Sequence, residues 1–121
     1  MYKGHGQTCV CANRFYVQAG IHDEFVAKLA DKTRGLAVGD GRDAGIAQGP
    51  MIDIGAVEKV EGFLADAKSK GAKVVVGGDR HSRGGSFFQP TILTGATQSM
   101  AFAREEIFGP LAPVFKFVTE A

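Results

Sequence analysis

Apolar residues recur along this chain at two different periods, and each change of period marks a structural element. Over Asn13 to Gln18, Phe15 and Val17 fall on alternating positions, the two-residue period of a short strand. From about His22 the period becomes helical: Phe25, Val26, Leu29, Ala30, Thr33 and Leu36 recur on one face and are expected to meet the core. Asp23 and Glu24 open this helix, where negative charge favours the positive end of the helix dipole. Gly39 to Pro50 is dense in turn-forming residues and reads as a loop. A second helix is expected to begin with Asp53 as its N-cap. Val57, Val60, Leu64 and Ala67 form its apolar stripe, and Gly71 is placed to stop it. Gly62 lies inside this helix at a cost on the order of 1 kcal/mol relative to alanine. It is therefore expected to mark close packing against a neighbour.

Beyond Gly71 the chain turns to extended patterns. Lys73 to Val76 is a β-branched run closed by Gly77-Gly78 and reads as a buried strand. Asp79 to Ser86 is a polar loop, and Phe87 to Leu93 resumes an extended pattern. Pro90 within it predicts an edge or a bulge. Ser99 to Glu106 has the length of a short helix, and Leu111 to Val118 closes the chain as a strand with Pro113 near its start. Strands alternating with two strong helices predict an α/β fold, a partial open, largely parallel twisted sheet with flanking helices. Two helices cover little of a sheet whose faces both look apolar, so the chain reads as part of something larger.

Composition narrows the function classes. The 121 residues suit one domain, and 45% apolar with 22% charged residues is an ordinary globular balance. A formal net charge of +1, with no cluster of Lys and Arg, argues against nucleic acid as a partner. No apolar run approaches the roughly 20 residues of a membrane span, and Met1 to Gly6 lead into no signal-like apolar stretch. Two cysteines do not make a disulfide scaffold, so a reducing cytoplasm is the expected location.

Those two cysteines, Cys9 and Cys11, lie two residues apart behind Gly6-Gln7-Thr8. As small buried hydrophobes they need no function, the usual fate of free thiols. A zinc site drawn from His5, Cys9 and Cys11 lacks the second ligand pair that zinc sites normally supply, so no metal is expected. A disulfide between strand positions i and i+2 would be strained and easily reduced. A nucleophilic cysteine needs a lowered pKa or a nearby base, and Gly6 would let a turn present the sulfur. Taken alone, the residues make the nucleophile no stronger a reading than the buried thiol. Elsewhere, Gly39-Asp40-Gly41-Arg42-Asp43-Ala44-Gly45 has neither the strand–loop–helix context nor the Lys-Ser or Lys-Thr of a phosphate cradle. Glu105-Glu106 alone reads as two solvated acids, and Phe108-Gly109-Pro110 as core followed by a turn.

Taken together, Gly6-Gln7-Thr8-Cys9 and Glu105-Glu106-Ile107-Phe108-Gly109-Pro110 resemble the NAD(P)-dependent aldehyde dehydrogenase superfamily. Asn13 to Val17, Val38 to Gly41, Gly49 to Ile52 and Phe88 to Leu93 continue the resemblance in the family's order and spacing. Gly6 to Arg14 and Gly84 to Thr91 are most similar to its succinate-semialdehyde dehydrogenase subgroup. The resemblance implies that Cys9 is the catalytic nucleophile, passing through a thiohemiacetal and a thioester. It implies that Glu106 binds the nicotinamide ribose hydroxyls of NAD or NADP and that Phe108 steadies the nicotinamide. Cys11 becomes a reversible redox partner for Cys9. Lys3 stands where the subgroup usually has an arginine for the substrate carboxylate, keeping the charge without the bidentate fork.

In relatives the dinucleotide-binding domain, the oxyanion Asn and the water-activating glutamate lie upstream of Gly6. The resemblance therefore implies that residues 1–121 are a partial catalytic domain, a C-terminal slice of it, with little activity alone. Its substrate would be a small aldehyde and its full-length relatives homo-oligomeric. A non-catalytic interaction or thiol-redox module that retains the fold is the competing reading.

Overall fold

The computed structural model describes residues 14–40, 42–46, 48–82, 84–107 and 109–118. Strand β1, Phe15–Gln18, leads through a 3-10 turn into helix α1, His22–Arg34. A long loop then reaches helix α2, Ile54–Ser69, followed by strands β2, Lys73–Val76, β3, Thr91–Thr94, and β4, Leu111–Phe117. The sheet order is β1-β4-β3-β2. β1, β4 and β3 run parallel, and β2 pairs antiparallel with β3 at the edge. The expected open, largely parallel α/β sheet is present.

The alternating faces of the strands feed two cores. Leu93 of β3 and Leu111 and Phe115 of β4 join Val57, Val60, Phe63, Leu64 and Ala67 of α2. Ile92, Ala112, Val114 and Val17 join Val26 and Ala30 of α1. A helix packs on each face, so β4 is buried on both sides and reads as a continuous apolar run. Pro113 survives in this interior strand because of strand polarity. Pro110 and Val114 turn their carbonyls toward the β3 side, accepting from Thr91 and Ala96. Residue 113 therefore turns its nitrogen toward β1, whose pairing with β4 begins at Val114 among the described residues. No hydrogen bond to β3 is lost there.

α2 has the ends its sequence predicts. The Asp53 carboxylate accepts the Ala56 N–H at 2.8 Å. At the other end Gly71 takes a φ of 99°, Gly71 N–H donates to Lys68 C=O and Ala72 N–H to Ala67 C=O. That pair of bonds is a Schellman stop, and it needs a residue free to adopt the left-handed region.

Five local expectations are corrected. Gly62 is exposed, and a Cβ built on it meets nothing within 4 Å, so it marks no close packing. Lys73 to Val76 is a partly exposed edge strand, because nothing pairs with its outer side among the described residues. Pro90 is buried just ahead of an interior strand, and the irregularity falls on the partner strand between Val74 and Val76. Of Phe87 to Leu93, only Thr91 onward belongs to a strand, while Phe88 forms an isolated bridge with Arg80. Ser99 to Glu106 holds a single 3-10 turn, Ala101–Ala103, rather than an α-helix.

Candidate functional site

Glu106 is the one predicted site residue among those described. Cys9, Cys11 and Lys3 lie outside the described residues, and so does Phe108. Glu106 is exposed, yet the chain on either side of it is pinned.

Upstream, the 3-10 turn is bound to α2. The Ala101 N–H donates to Asp66 Oδ2 at 2.7 Å, and the Lys70 ammonium donates to Ser99 C=O at 2.7 Å. Asp66 and Lys70, one helical turn apart, also pair at 2.9 Å. The Ala101 N–H, and after it Lys70, hold the Asp66 carboxyl below the usual carboxylate range. Phe102 of the turn is fully buried and meets Phe115 edge-on, with ring centroids 6.0 Å apart. Arg104 and Glu105 donate their N–H groups back to Ala101 C=O at 3.0 and 3.1 Å.

Downstream, Ile107 is buried in the α2-side core. Gly109 lies so close to α2 that a Cβ on it would stand 2.5 Å from Val60 Cγ2 and 3.1 Å from Met51 Cε. Pro110 is fully buried and its carbonyl accepts the Thr91 N–H at 2.7 Å. Glu106 is thus a solvated carboxylate on a backbone held at both ends.

The same turn meets the start of β1. Arg14 Nε donates to Phe102 C=O at 3.2 Å, joining the residue that follows the cysteine-bearing stretch to the segment that carries Glu106. Phe15 lies opposite Val114 in parallel register, so the chain enters β1 and β4 from one edge of the sheet. Tyr16 then stacks on Phe115 with centroids 5.0 Å apart.

A separate cavity of about 450 Å³ is lined by Thr33, Arg34, Leu36, His81, Gln89, Pro90 and neighbours, none of them a predicted site residue. Among the described residues no cluster of three His, Cys, Asp or Glu is placed to hold a metal ion. No described helix is long and apolar enough to cross a membrane. Sequence reasoning missed Asp66 and Gly109. Asp66 had one legible signal, a lysine four residues on; Gly109 read only as the start of a turn.

The aldehyde dehydrogenase family model matches residues 1–121 from end to end. The chain belongs to the aldehyde dehydrogenase family. It is 56% identical over 119 residues to 3-sulfolactaldehyde dehydrogenase of Pseudomonas putida, covering 98% of this chain and 24% of that protein. It is 54% identical over 120 residues to the NADP(+) succinate-semialdehyde dehydrogenase of Escherichia coli, covering 99% and 25%. Among solved structures, succinate-semialdehyde dehydrogenase from Burkholderia pseudomallei superposes with a TM-score of 0.97 at 50% identity, covering 98% of this chain and 25% of that one. Betaine aldehyde dehydrogenase from Staphylococcus aureus, in complex with NAD+, matches with a TM-score of 0.90 at 37% identity, covering 97% and 24%. This aldehyde dehydrogenase chain spans about a quarter of the length of the curated relatives it matches.

Proposed function

We propose that this chain supplies the nucleophile and the nicotinamide-side contacts of an oxidoreductase that converts a small, acid-bearing aldehyde to the carboxylate with NAD or NADP. The observation that carries this is Glu106: a solvated carboxylate on a doubly pinned segment, at the sheet edge from which β1 also starts. Its two oxygens suit a pair of vicinal hydroxyl donors, so the residues present fit a nucleotide ribose. Cys9 is five residues before Arg14, which limits their separation to about 18 Å of extended chain. Both motifs are therefore within reach of one site.

In this reading the Cys9 thiolate attacks the aldehyde carbon, and its own backbone N–H helps hold the resulting oxyanion. When bound, the oxidised dinucleotide supplies the hydride acceptor that turns the thiohemiacetal into a thioester. Water then hydrolyses that thioester and frees Cys9. Phe108 steadies the nicotinamide, and Cys11 is a reversible disulfide partner that shields Cys9. A reducing cytoplasm suits a thiol with this task.

The substrate class follows from Lys3 and from the relatives. Succinate semialdehyde and 3-sulfolactaldehyde both carry an acid group away from the aldehyde, and a lysine offers that group a point charge. Succinic semialdehyde is the first candidate. Residues 1–121 form part of a catalytic domain, and the adenine and phosphate contacts belong to family segments this chain does not match.

The test is NADH and NADPH formation from succinic semialdehyde by the full-length protein, with Cys9→Ala as the comparison. Turnover should vanish in the variant, and limiting iodoacetamide should label Cys9 ahead of Cys11. Activity that survives Cys9→Ala would refute the nucleophile. A protein inactive with either cofactor, yet readily oxidised at its thiols, would favour a thiol-redox module.

A further inference from the structure

Asp66 lies on α2, 35 positions before the residue whose N–H it accepts. It has no place in the aldehyde dehydrogenase reaction as derived above. Its carboxylate nevertheless makes the first of a short series of contacts that ends at Glu106. Asp66 Oδ2 holds the Ala101 N–H, and the Ala101 carbonyl in turn holds the Glu105 N–H. The next residue is Glu106, and the one after that, Ile107, is buried. Lys70 adds a second tie at Ser99, and it is itself held by Asp66. A single carboxylate therefore sets both the start of the 3-10 turn and the lysine that fastens the residue ahead of it.

We propose that Asp66 is a positioning residue for the dinucleotide, fixing through Ala101 and Lys70 the turn from which Glu106 is presented. The inference rests on the cofactor reading of Glu106 given above. A carboxylate that meets two ribose hydroxyls must hold its backbone to a fraction of an ångström, and a solvent-facing side chain gets no such help from its own packing. Charge-assisted bonds from an ionised carboxylate to backbone N–H groups are the stronger kind, and the lowered pKa of Asp66 agrees with such a bond.

The experiment measures NAD and NADP dissociation constants for the full-length protein in two backgrounds, wild type and Glu106→Gln. Asp66→Ala removes the acceptor. Ala101→Pro removes the donor and keeps Asp66. Proline is compatible there because residue 101 opens the turn and Met100 is already extended, with φ −79° and ψ 148°. Each variant should weaken dinucleotide binding about tenfold in the wild-type background, the order expected for one charge-assisted hydrogen bond. In the Glu106→Gln background each should add less than about twofold, since residues acting through one contact are not additive. Asp66→Asn keeps an acceptor oxygen and should recover most of the affinity, while the rate of Cys9 alkylation stays unchanged.

An equal loss in both backgrounds would overturn the proposal, because Asp66 would then act independently of Glu106. No loss in either would overturn it as well. Should Asp66→Ala fail to fold, Ala101→Pro carries the same test from the donor side. If Glu106→Gln alone leaves binding unchanged, the cofactor reading of Glu106 falls and takes the positioning role with it.

Discussion

Gly109 and Val60 meet so closely that a methyl group on the glycine would stand 2.5 Å from Val60 Cγ2. Val60 is fully buried on α2, and its β-branched side chain has little rotamer freedom to move aside. Met51 closes the other flank at 3.1 Å. Glycine is needed here for space rather than for backbone conformation, since Gly109 is not among the positive-φ glycines. Gly109→Ala should therefore destabilise the protein by about 1–3 kcal/mol, the range for overpacking a core. Urea unfolding checks this, and unchanged stability would mean the segment can lift off α2 freely. Because Glu106 is three residues away, the same variant should raise the KM for the dinucleotide.

Gly62 is the opposite case. It sits mid-helix, exposed, with no neighbour for a Cβ to strike. Gly62→Ala should stabilise the protein by roughly 0.5–1 kcal/mol through helix propensity and reduced freedom of the unfolded chain. Thermal unfolding decides it; a lowered midpoint would show that a partner covers this face of α2.

The contrast between these two glycines shows what the sequence could convey. Helix periodicity, the Asp53 cap and the Gly71 stop are local chemistry, and all were legible from residues a few positions apart. Which glycine touches another element depends on how α2 lies against the segment before β4, and spacing carries no record of that. Lys73 to Val76 misled for the same reason, since a β-branched run looks alike at the centre and at the edge of a sheet. Pro113 is informative in reverse: an interior strand admits it where its nitrogen faces away from β3. At the candidate site the motif singled out Glu106 as a candidate for the cofactor. Asp66 was not legible, because a carboxylate capping a distant backbone N–H has the same sequence signature as one facing solvent.

Two carboxylates on α2 give the protein a predictable acid response. Arg80 donates to both oxygens of Glu61, at 3.0 and 2.7 Å, and that bidentate contact lowers the Glu61 pKa from its usual 4.5. Asp66 is lowered from 3.8, first by the Ala101 N–H and then by Lys70. In each case the folded state binds its proton less readily than the unfolded chain. The stabilisation is therefore complete above the unfolded value and is lost as pH falls through the lower folded one. Stability should decline on acidification below about pH 4.5. Glu61→Gln and Asp66→Asn should each flatten that decline, and unfolding midpoints across pH 2.5 to 5, a window set by ordinary carboxylate values, measure it. An unaltered slope in both variants would place the acid-sensitive groups elsewhere.

The thiol pair makes a prediction of its own. If Cys11 guards Cys9, mild oxidation should join them within one chain, since no other cysteine is present to compete. A peptide spanning both should lose the mass of two hydrogens and regain it with dithiothreitol. Such a short loop gives a strained, easily reduced bond, so a low reductant concentration should suffice. Oxidation that yields only intermolecular dimers would remove the guarding role.

The last prediction concerns these 121 residues by themselves. Hydride transfer requires the nicotinamide to be held in line with the carbon attached to Cys9, and such positioning supplies about 7–11 kcal/mol of a barrier. Glu106 and Phe108 are proposed to touch only the nicotinamide end, and the chain matches about a quarter of its relatives' length. If the oxyanion Asn belongs to an unmatched segment, its loss should lower the rate by a further factor on the order of 10²–10³. Any thioester formed would also wait for an unassisted water, so turnover should stop after at most one event. The residues 1–121 alone, given succinic semialdehyde and either NAD or NADP, should therefore show a flat trace, indistinguishable from Cys9→Ala. Steady dinucleotide reduction that disappears in that variant would mean that the chain holds a complete active site, with the oxyanion and water-activating roles filled from within its own sequence.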